Sequence, residues 1–218
     1  MPYITVSFAQ SIDGRLATKT GTSQWISGSG TLELAQRLRR DNDAIAVGIG
    51  TVLKDDPLLT CRLEGSASPL RVIFDSKLRI PLDSQIAKTA RIHDTLVFTC
   101  GSASLKKREC LEEKGLEIRL TGSDGEERVS LPEAVSHLAS RGCARVLVEG
   151  GAGIITSFLK TGMVGRILIV TAPIIIGQGI EAIGDLGIGR LEDAFKPLSF
   201  QVETVGQDVV WDLVFRKE

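Results

Sequence analysis

Three short stretches of the sequence place glycines or charged side chains directly after an apolar run. The first is VGIGTVLKDDP, residues 47–57, in which the glycines are followed by Thr51, Asp55 and Asp56. Glycines allow a ligand to approach the main chain closely, and a carboxylate accepts hydrogen bonds from ribose hydroxyls or from an amide. The stretch therefore suits part of a nucleotide, and a tight turn with two solvated aspartates is the alternative.

The second stretch is LVEGGAG, residues 147–153, in which Glu149 is followed by Gly150, Gly151, Ala152 and Gly153. These glycines start a predicted helix, and the free N–H groups and positive dipole of such a junction suit a pyrophosphate. The spacing differs from the G-x-G-x-x-G pattern of an ordinary Rossmann domain, and helix–sheet packing is the alternative explanation. A carboxylate that ends an apolar strand, as Glu149 does, needs a partner or a ligand.

The third stretch is FDSKLRIP, residues 74–81, which offers a hydroxyl and two cations in Ser76, Lys77 and Arg79. A phosphate monoester is bound by this combination of groups, although charged residues also follow many ordinary strands. Three nucleotide-suited stretches in one chain indicate a dinucleotide, and the cations favour NADP over NAD.

The elements that position these stretches are short β-type runs that alternate with helical patterns. We predict strands over residues 3–9, 43–50, 69–75, 95–100, 144–151 and 165–173, and helices over residues 29–41, 104–114, 131–140 and 152–161. This alternation predicts an α/β fold with a mostly parallel central sheet flanked by helices, and the runs around Gly206 predict a C-terminal antiparallel hairpin. Ligands of parallel sheets bind beyond the carboxyl ends of the strands, where the three stretches lie.

Composition limits the class of protein. A chain of 218 residues predicts one domain over residues 1–218, and 26 basic against 27 acidic residues give no reason to expect nucleic acid. The chain has no 18-residue apolar run and no export signal at its start, so we expect a cytoplasmic protein that does not bind membranes. The four cysteines lack CxxC spacing and only two histidines are present, so no metal site is predicted.

Several motifs together resemble one family. They are SIDGRLAT, TSQWIS, VGIGTVLKDDPLLTCR, RVIFDSKLRIP, VEGGAGIITSFLKTGMV and APIIIGQG, in this order from residue 11 to residue 179. With them the chain resembles the reductase of riboflavin biosynthesis, a member of the dihydrofolate-reductase-like fold, and is most similar to its single-domain archaeal type. The resemblance implies a single reductase domain and a homodimer, with the apolar run ILIVTAPIIIG and the C-terminal strands as a candidate interface. A buried central strand is the alternative for that run.

The resemblance also implies roles for individual residues. Cofactor contacts are implied for Ala9, Trp25, Thr51 and Asp55, for Ser76 near the adenosine phosphate, and for residues 151–157 at the pyrophosphate. Substrate contacts are implied for Ser23, Arg39, Leu59, Arg62 and Glu149. Each of three residues also has an ordinary structural interpretation when the motifs are set aside. Trp25 is then a semi-buried core aromatic, Ser23 a helix cap and Arg39 a solvated cation.

The reaction implied is reduction of the ribosylamino group of 2,5-diamino-6-ribosylamino-4(3H)-pyrimidinone 5′-phosphate to the ribitylamino form by NADPH, with NADH as the other candidate cofactor. Ring opening of the sugar gives an imine, which accepts the hydride. We expect Glu149 to act as the catalytic residue by orienting the sugar or base, and Arg39 or Arg62 to bind the 5′-phosphate. No residue stands out as the general acid.

Competing functions are weighed by what the sequence lacks. The chain has no H-x-E with P-C-x-x-C and no room before Pro2 for another domain, so we expect reduction without deamination. The deaminated 5-amino-6-(5-phosphoribosylamino)uracil is the near alternative substrate. Dihydrofolate reductases carry a carboxylate where Gly30 stands, which counts against folate. A non-catalytic NADP-binding relative would not need Arg39, Arg62 and Glu149.

Overall fold

The computed structural model describes residues 1–24, 26–101, 103–124 and 127–218. The helices are α1 (Ser29–Arg40), α2 (Ile49–Asp55), α3 (Gln85–Lys88), α4 (Leu105–Glu113), α5 (Leu131–Ser140) and α6 (Ala152–Lys160), with a 3₁₀ turn at Leu191–Asp193. The strands are β1 (Tyr3–Ser11), β2 (Arg15–Thr18), β3 (Ala44–Gly48), β4 (Leu70–Phe74), β5 (Thr95–Thr99), β6 (Glu117–Leu120), β7 (Ser123–Asp124), β8 (Arg128–Val129), β9 (Arg145–Glu149), β10 (Val164–Ala172), β11 (Gly179–Glu181), β12 (Ser199–Val205) and β13 (Asp208–Val214).

The chain divides into two compact units, and the first contains Met1–Pro2 and Arg39–Leu147. Its strands β3, β4, β5 and β6 pair in parallel, in that order. β3, β4 and β5 are buried along almost their whole length, as expected for parallel strands with both faces covered. Aliphatic side chains of these strands and of the connecting helices form one apolar core.

The second unit contains Tyr3–Leu38 and Val148–Glu218. In it β1 pairs in parallel with β10, β10 pairs antiparallel with β13, and β13 forms an antiparallel hairpin with β12. β2 and β11 form a separate antiparallel pair. The parallel pairs and the C-terminal hairpin confirm the predicted fold class. One domain over residues 1–218 stays a prediction.

The strand predicted over residues 43–50 includes the start of a helix. Residues 43–50 were predicted as strand, but β3 ends at Gly48 and α2 begins at Ile49. Ile49 and Val52 are both buried, and their i, i+3 spacing places them on one helical face. Burial of this pair explains why the chain turns into a helix as soon as the strand ends.

Candidate nucleotide-binding site

The N-termini of the helices are of two kinds. α3, α4 and α5 begin after Ser84, Ser104 and Ser130, and each serine hydroxyl accepts a hydrogen bond from a main-chain N–H. α2 and α6 begin after Gly48 and Gly151, which have no side chain for this bond. The first N–H groups of α2 and α6 therefore lack a cap side chain, which is the arrangement that binds anions and polar ligands at helix N-termini. These helices belong to the first two stretches that the sequence indicated.

The turn into α6 fits a pyrophosphate. Gly150 has a φ of 142°, which only glycine adopts readily, and it turns the chain from β9 into the helix. A Cβ added at Gly151 or at Gly153 would have no described heavy atom within 4 Å beyond its immediate neighbours. The N–H groups from Gly151 through Ala152 to Gly153 thus border open space. A dinucleotide could approach this main chain closely.

The remaining predicted site residues of the second unit lie at strand ends and in one loop. Glu149 is the last residue of β9 and is half-buried. Ala9 lies on β1 opposite Val170 of β10 and is also half-buried. Ser23 lies half-buried in the segment between β2 and α1. Trp25 lies outside the described residues.

Asp55 and Asp56 are adjacent in the sequence, but they have different surroundings at the end of α2. Thr51 and Asp55 stand at i and i+4 on α2 and so share one face, with Asp55 exposed at the last residue of the helix. Asp56 instead ends the helix, with a left-handed φ of 39° and its N–H bonded to the carbonyl of Val52. The carboxylate of Asp56 accepts a hydrogen bond of 2.7 Å from the N–H of Gln85. Asp56 is therefore structural, and Asp55 stays the predicted ligand contact of the two.

A buried carboxylate shapes the turn after β4. Asp75 is fully buried, its Oδ2 accepts a hydrogen bond of 3.0 Å from the N–H of Ile80, and burial raises its pKa. Leu78, with a φ of 49°, and Ile80 point into the core. Lys77 and Arg79 alternate with them and are exposed. The turn therefore presents both cations outward, and sequence reasoning did not identify Asp75 as the group that arranges them.

The exposed side of this turn carries the groups of the predicted phosphate site. The hydroxyl of Ser76 accepts a hydrogen bond of 3.1 Å from the N–H of Val129, so its own hydrogen remains for a further acceptor. Lys77 lies 3.9 Å from a carboxylate oxygen of Glu127, and Arg79 lies 3.7 Å from Asp75. The Lys77–Glu127 pair is long and exposed and therefore weak, and Arg79 keeps more than half of its side chain exposed beside the buried Asp75. A phosphate can therefore approach both cations.

The predicted substrate residues of the first unit meet in the loop after α2. The guanidinium of Arg39 donates a hydrogen bond of 3.2 Å to the carbonyl of Thr60, two residues before the exposed Arg62. Leu59 is only 3% exposed, with a φ of 55°, and its side chain belongs to the apolar core. A substrate contact at Leu59 would therefore come from its main chain, a role that the residue type did not suggest.

Asp13 is a structural residue that sequence reasoning missed, although it lies in the SIDGRLAT motif. Its carboxylate accepts hydrogen bonds from the hydroxyl of Ser11 at 2.6 Å and from the N–H groups of Ile176 and Gly177 at 3.1 and 2.7 Å. The hydrogen bond from Ser11, followed by those from the main chain, lowers the pKa of Asp13 to about 2. Asp13 thus joins the end of β1 to the APIIIGQG segment.

The lowered pKa of Asp13 predicts how the free energy of unfolding depends on pH. Because the folded-state pKa of Asp13 lies below its ordinary value of 3.8, the carboxylate stabilises the fold fully above that ordinary value. The contribution should fade as the pH falls through about 2. We expect urea unfolding of the parent and of Asp13→Asn to differ by a constant free energy between pH 5 and 8 and to converge towards pH 2. A difference that does not change down to pH 2 would contradict the assignment.

Two classes of site find no support among the described residues. No group of three or more His, Cys, Asp or Glu side chains within ranges 1–24, 26–101, 103–124 and 127–218 is arranged to hold a metal ion. Across the same part of the chain, no helix has the length and apolar character needed to cross a membrane.

The chain is similar in sequence to several known proteins. The family model described as the RibD C-terminal domain matches residues 2–211. The riboflavin biosynthesis protein RibD of Aquifex aeolicus is 39% identical over 210 residues, which cover 96% of this chain and 56% of the relative. The 2,5-diamino-6-ribosylamino-4(3H)-pyrimidinone 5′-phosphate reductase of Archaeoglobus fulgidus is 38% identical over 189 residues, covering 81% of this chain and 82% of the relative.

The solved structures agree with these relatives. RibD of Acinetobacter baumannii superposes with a TM-score of 0.83 at 28% identity, over 98% of this chain and 58% of that one. The chain therefore spans a little over half the length of the RibD proteins that it matches.

Proposed function

This chain belongs to the RibD C-terminal domain family, and from that premise we propose that it is a reductase of riboflavin biosynthesis. Its substrate would be 2,5-diamino-6-ribosylamino-4(3H)-pyrimidinone 5′-phosphate, which the name of the Archaeoglobus fulgidus relative includes. The observation that carries the proposal is the turn into α6, because glycines suited to a dinucleotide directly follow the carboxylate of Glu149 at the strand end. The family match spans both compact units, which supports one reductase domain over residues 1–218.

The cofactor we propose is NADPH, which supplies the hydride when it is bound. The N–H groups of Gly151, Ala152 and Gly153, with the turn at Gly150, hold its pyrophosphate. The remaining contacts are divided between the two ends of the cofactor. Ser76, Lys77 and Arg79 bind the adenosine phosphate, and Ala9, Trp25, Thr51 and Asp55 contact the nicotinamide half. The two cations favour NADPH over NADH because the extra phosphate is dianionic.

The substrate is held by charged side chains of opposite sign. Arg39 and Arg62, which belong to α1 and to the loop after α2, bind the 5′-phosphate. Glu149 accepts hydrogen bonds from sugar or base groups and stabilises positive charge on the nitrogen of the imine, whose carbon accepts the hydride. Ser23 and the main chain of Leu59 complete the substrate contacts. Together these groups keep the reacting carbon fixed while hydride arrives.

We further propose a homodimer that forms through the C-terminal hairpin. Phe200, Val202 and Trp211 on β12 and β13 are 61%, 48% and 39% exposed, which is unusual for large apolar side chains. β12 is also unpaired on its outer edge in the sheet order. β10 is paired on both sides and mostly buried, which favours the buried-strand interpretation for residues 164–172. Sedimentation equilibrium of the purified protein, with a monomer mass as the contrary outcome, tests this.

A cytoplasmic location is part of the same proposal. The four cysteines of the chain are all free thiols, two of them buried. Free thiols are the normal state of cysteine in a reducing compartment.

The experiment that tests the function is NADPH oxidation followed at 340 nm. The purified protein is given the ribosylamino diaminopyrimidinone 5′-phosphate, its deaminated counterpart and dihydrofolate in parallel. Turnover of the first substrate alone supports the proposal, and turnover of the second alone would place the enzyme after deamination. NADPH binding without turnover of any substrate would favour a non-catalytic NADP-binding protein.

Substitution of the charged substrate contacts should lower activity strongly. We expect Glu149→Gln and Arg62→Ala each to reduce kcat/KM for the pyrimidine substrate at least tenfold, because a lost contact to a charged group costs about 2 kcal/mol. Steady-state kinetics at saturating NADPH measures the effect. Glu192→Gln, at an exposed glutamate of the 3₁₀ turn, serves as the matched control. If the two variants stay within threefold of the parent, these roles are wrong.

A further inference from the structure

Asp208 is a buried carboxylate to which none of the roles above applies. It is the first residue of β13 and is 0% exposed. Its Oδ2 accepts a hydrogen bond of 2.7 Å from the N–H of Gly28, whereas its buried Oδ1 has no hydrogen-bond partner in the described part of the chain. Burying a carboxylate with an unsatisfied oxygen costs folding free energy, so we expect Asp208 to have a specific structural or functional role.

The contact with Gly28 fixes the start of α1. Gly28 directly precedes the helix, so the positive end of the helix dipole stabilises the carboxylate of Asp208. The carbonyl of Gly28 in turn accepts a hydrogen bond of 2.7 Å from the hydroxyl of Thr31. Both polar main-chain groups of Gly28 are therefore held, one from the C-terminal hairpin and one from the helix.

Close packing within the first turn of the helix supports the same anchor. A Cβ added at Gly30 would lie 3.0 Å from a methyl carbon of Val205, on the strand that precedes Asp208 in the hairpin. This spacing is tighter than ordinary contact between side chains, so α1 sits directly on the hairpin. A shift of Asp208 would move the first turn of α1 and the segment that leads into it.

That segment, residues 19–28, is held at its other end as well. The carbonyl of Thr18 accepts a hydrogen bond of 2.9 Å from the N–H of Gly21, and the Thr18 hydroxyl accepts one of 3.1 Å from the N–H of Thr22. Between these two anchors lies Ser23, for which a substrate contact is proposed. Thr18 and Asp208 therefore hold the main chain on either side of Ser23.

We propose that Asp208 is a positioning residue that holds residues 19–28, called here the substrate loop, in the arrangement needed to bind the pyrimidine substrate. The inference rests on the proposed function, because only that function gives Ser23 its role. Asp208 itself does not touch the substrate. Its loss should therefore loosen the loop and weaken use of the substrate while leaving the cofactor contacts of α6 intact.

Hydrogen–deuterium exchange tests the anchor without any assay of activity. In Asp208→Ala, exchange of peptides from the substrate loop should rise about tenfold, the effect of losing one charge-assisted hydrogen bond, while β1 and β10 stay protected. Asp208→Asn keeps an oxygen that can accept the Gly28 N–H and should restore most of the protection. Asp212→Asn is the matched control, because Asp212 lies on the same strand and pairs with Arg166 instead. Unchanged exchange of the loop in Asp208→Ala would overturn the proposal.

Kinetics then tests the consequence for the substrate. We expect kcat/KM for the pyrimidine substrate, measured at saturating NADPH, to fall about tenfold in Asp208→Ala and less than threefold in Asp208→Asn. Asp212→Asn should leave kcat/KM unchanged even if it lowers Tm. Unchanged kcat/KM in a loosened loop would overturn the positioning role. A parent protein that reduces no pyrimidine substrate would overturn the proposed function, whereas exchange would still show whether Asp208 holds the loop.

Discussion

Gly151→Asp is expected to fold normally and to bind NADPH at least about 100-fold more weakly, a loss of about 3 kcal/mol. Gly151 has φ −75° and ψ 165°, which any residue adopts, and a Cβ there meets open space. The new carboxylate would cap α6 and add a few tenths of a kcal/mol of stability. In doing so it would occupy the N–H groups that the pyrophosphate needs and repel its charge, which forfeits charge-assisted hydrogen bonds worth about 1.5–3 kcal/mol each.

Titration of NADPH fluorescence measures the affinity, and thermal unfolding shows whether the variant is folded. Gly151→Ala separates the added volume from the added charge and should weaken binding less. Ser104→Asp adds the same capping carboxylate to α4, outside the proposed site, and should leave NADPH affinity unchanged. A Gly151→Asp protein whose Kd stays within threefold of the parent would mean that the pyrophosphate does not bind at α6.

The parts of the site that the sequence predicted are those with a local cause. Apolar runs of strand length predicted β3, β4 and β9. Ser76 and Gly150 closely follow the ends of β4 and β9, whereas Thr51 and Asp55 lie on α2. α2 was missed because a helix from Ile49 to Asp55 is too short to show a helical period. Only the burial of Ile49 and Val52 reveals it.

The parts that could not be predicted depend on contacts between distant residues. Asp208 and Gly28 are 180 positions apart, and nothing near either one indicates the hydrogen bond. The resemblance implies a substrate contact at Leu59, but the main chain there has a left-handed φ and the side chain lies in the apolar core. Residue type and spacing identify which groups can do chemistry, whereas distant partners decide which of them stay available.

Arg71 is the strongest case of such a distant partner, and its role concerns stability. It lies on β4 with 0% exposure, and its guanidinium donates to three carbonyls and two hydroxyls, those of Leu58, Ile86, His93, Thr89 and Thr95. Burial lowers the pKa of Arg71 to about 10, so the side chain remains charged at neutral pH. One cation therefore joins β4 to the end of α3, to the start of β5 and to the loop that carries Arg62.

Arg71→Met is expected to lower the free energy of unfolding by about 3–5 kcal/mol, because the apolar replacement fills similar volume but leaves buried acceptors without donors. Urea unfolding at neutral pH measures the loss. Arg71→Lys keeps the charge but places its donors on one atom, so it should recover only part of the stability. Arg91→Met is the matched control, since Arg91 is exposed and donates a hydrogen bond to a surface carbonyl, that of Glu113. It should change stability by less than about 1 kcal/mol. A loss below about 1 kcal/mol in Arg71→Met would mean that water replaces the guanidinium and that the loop holds without it.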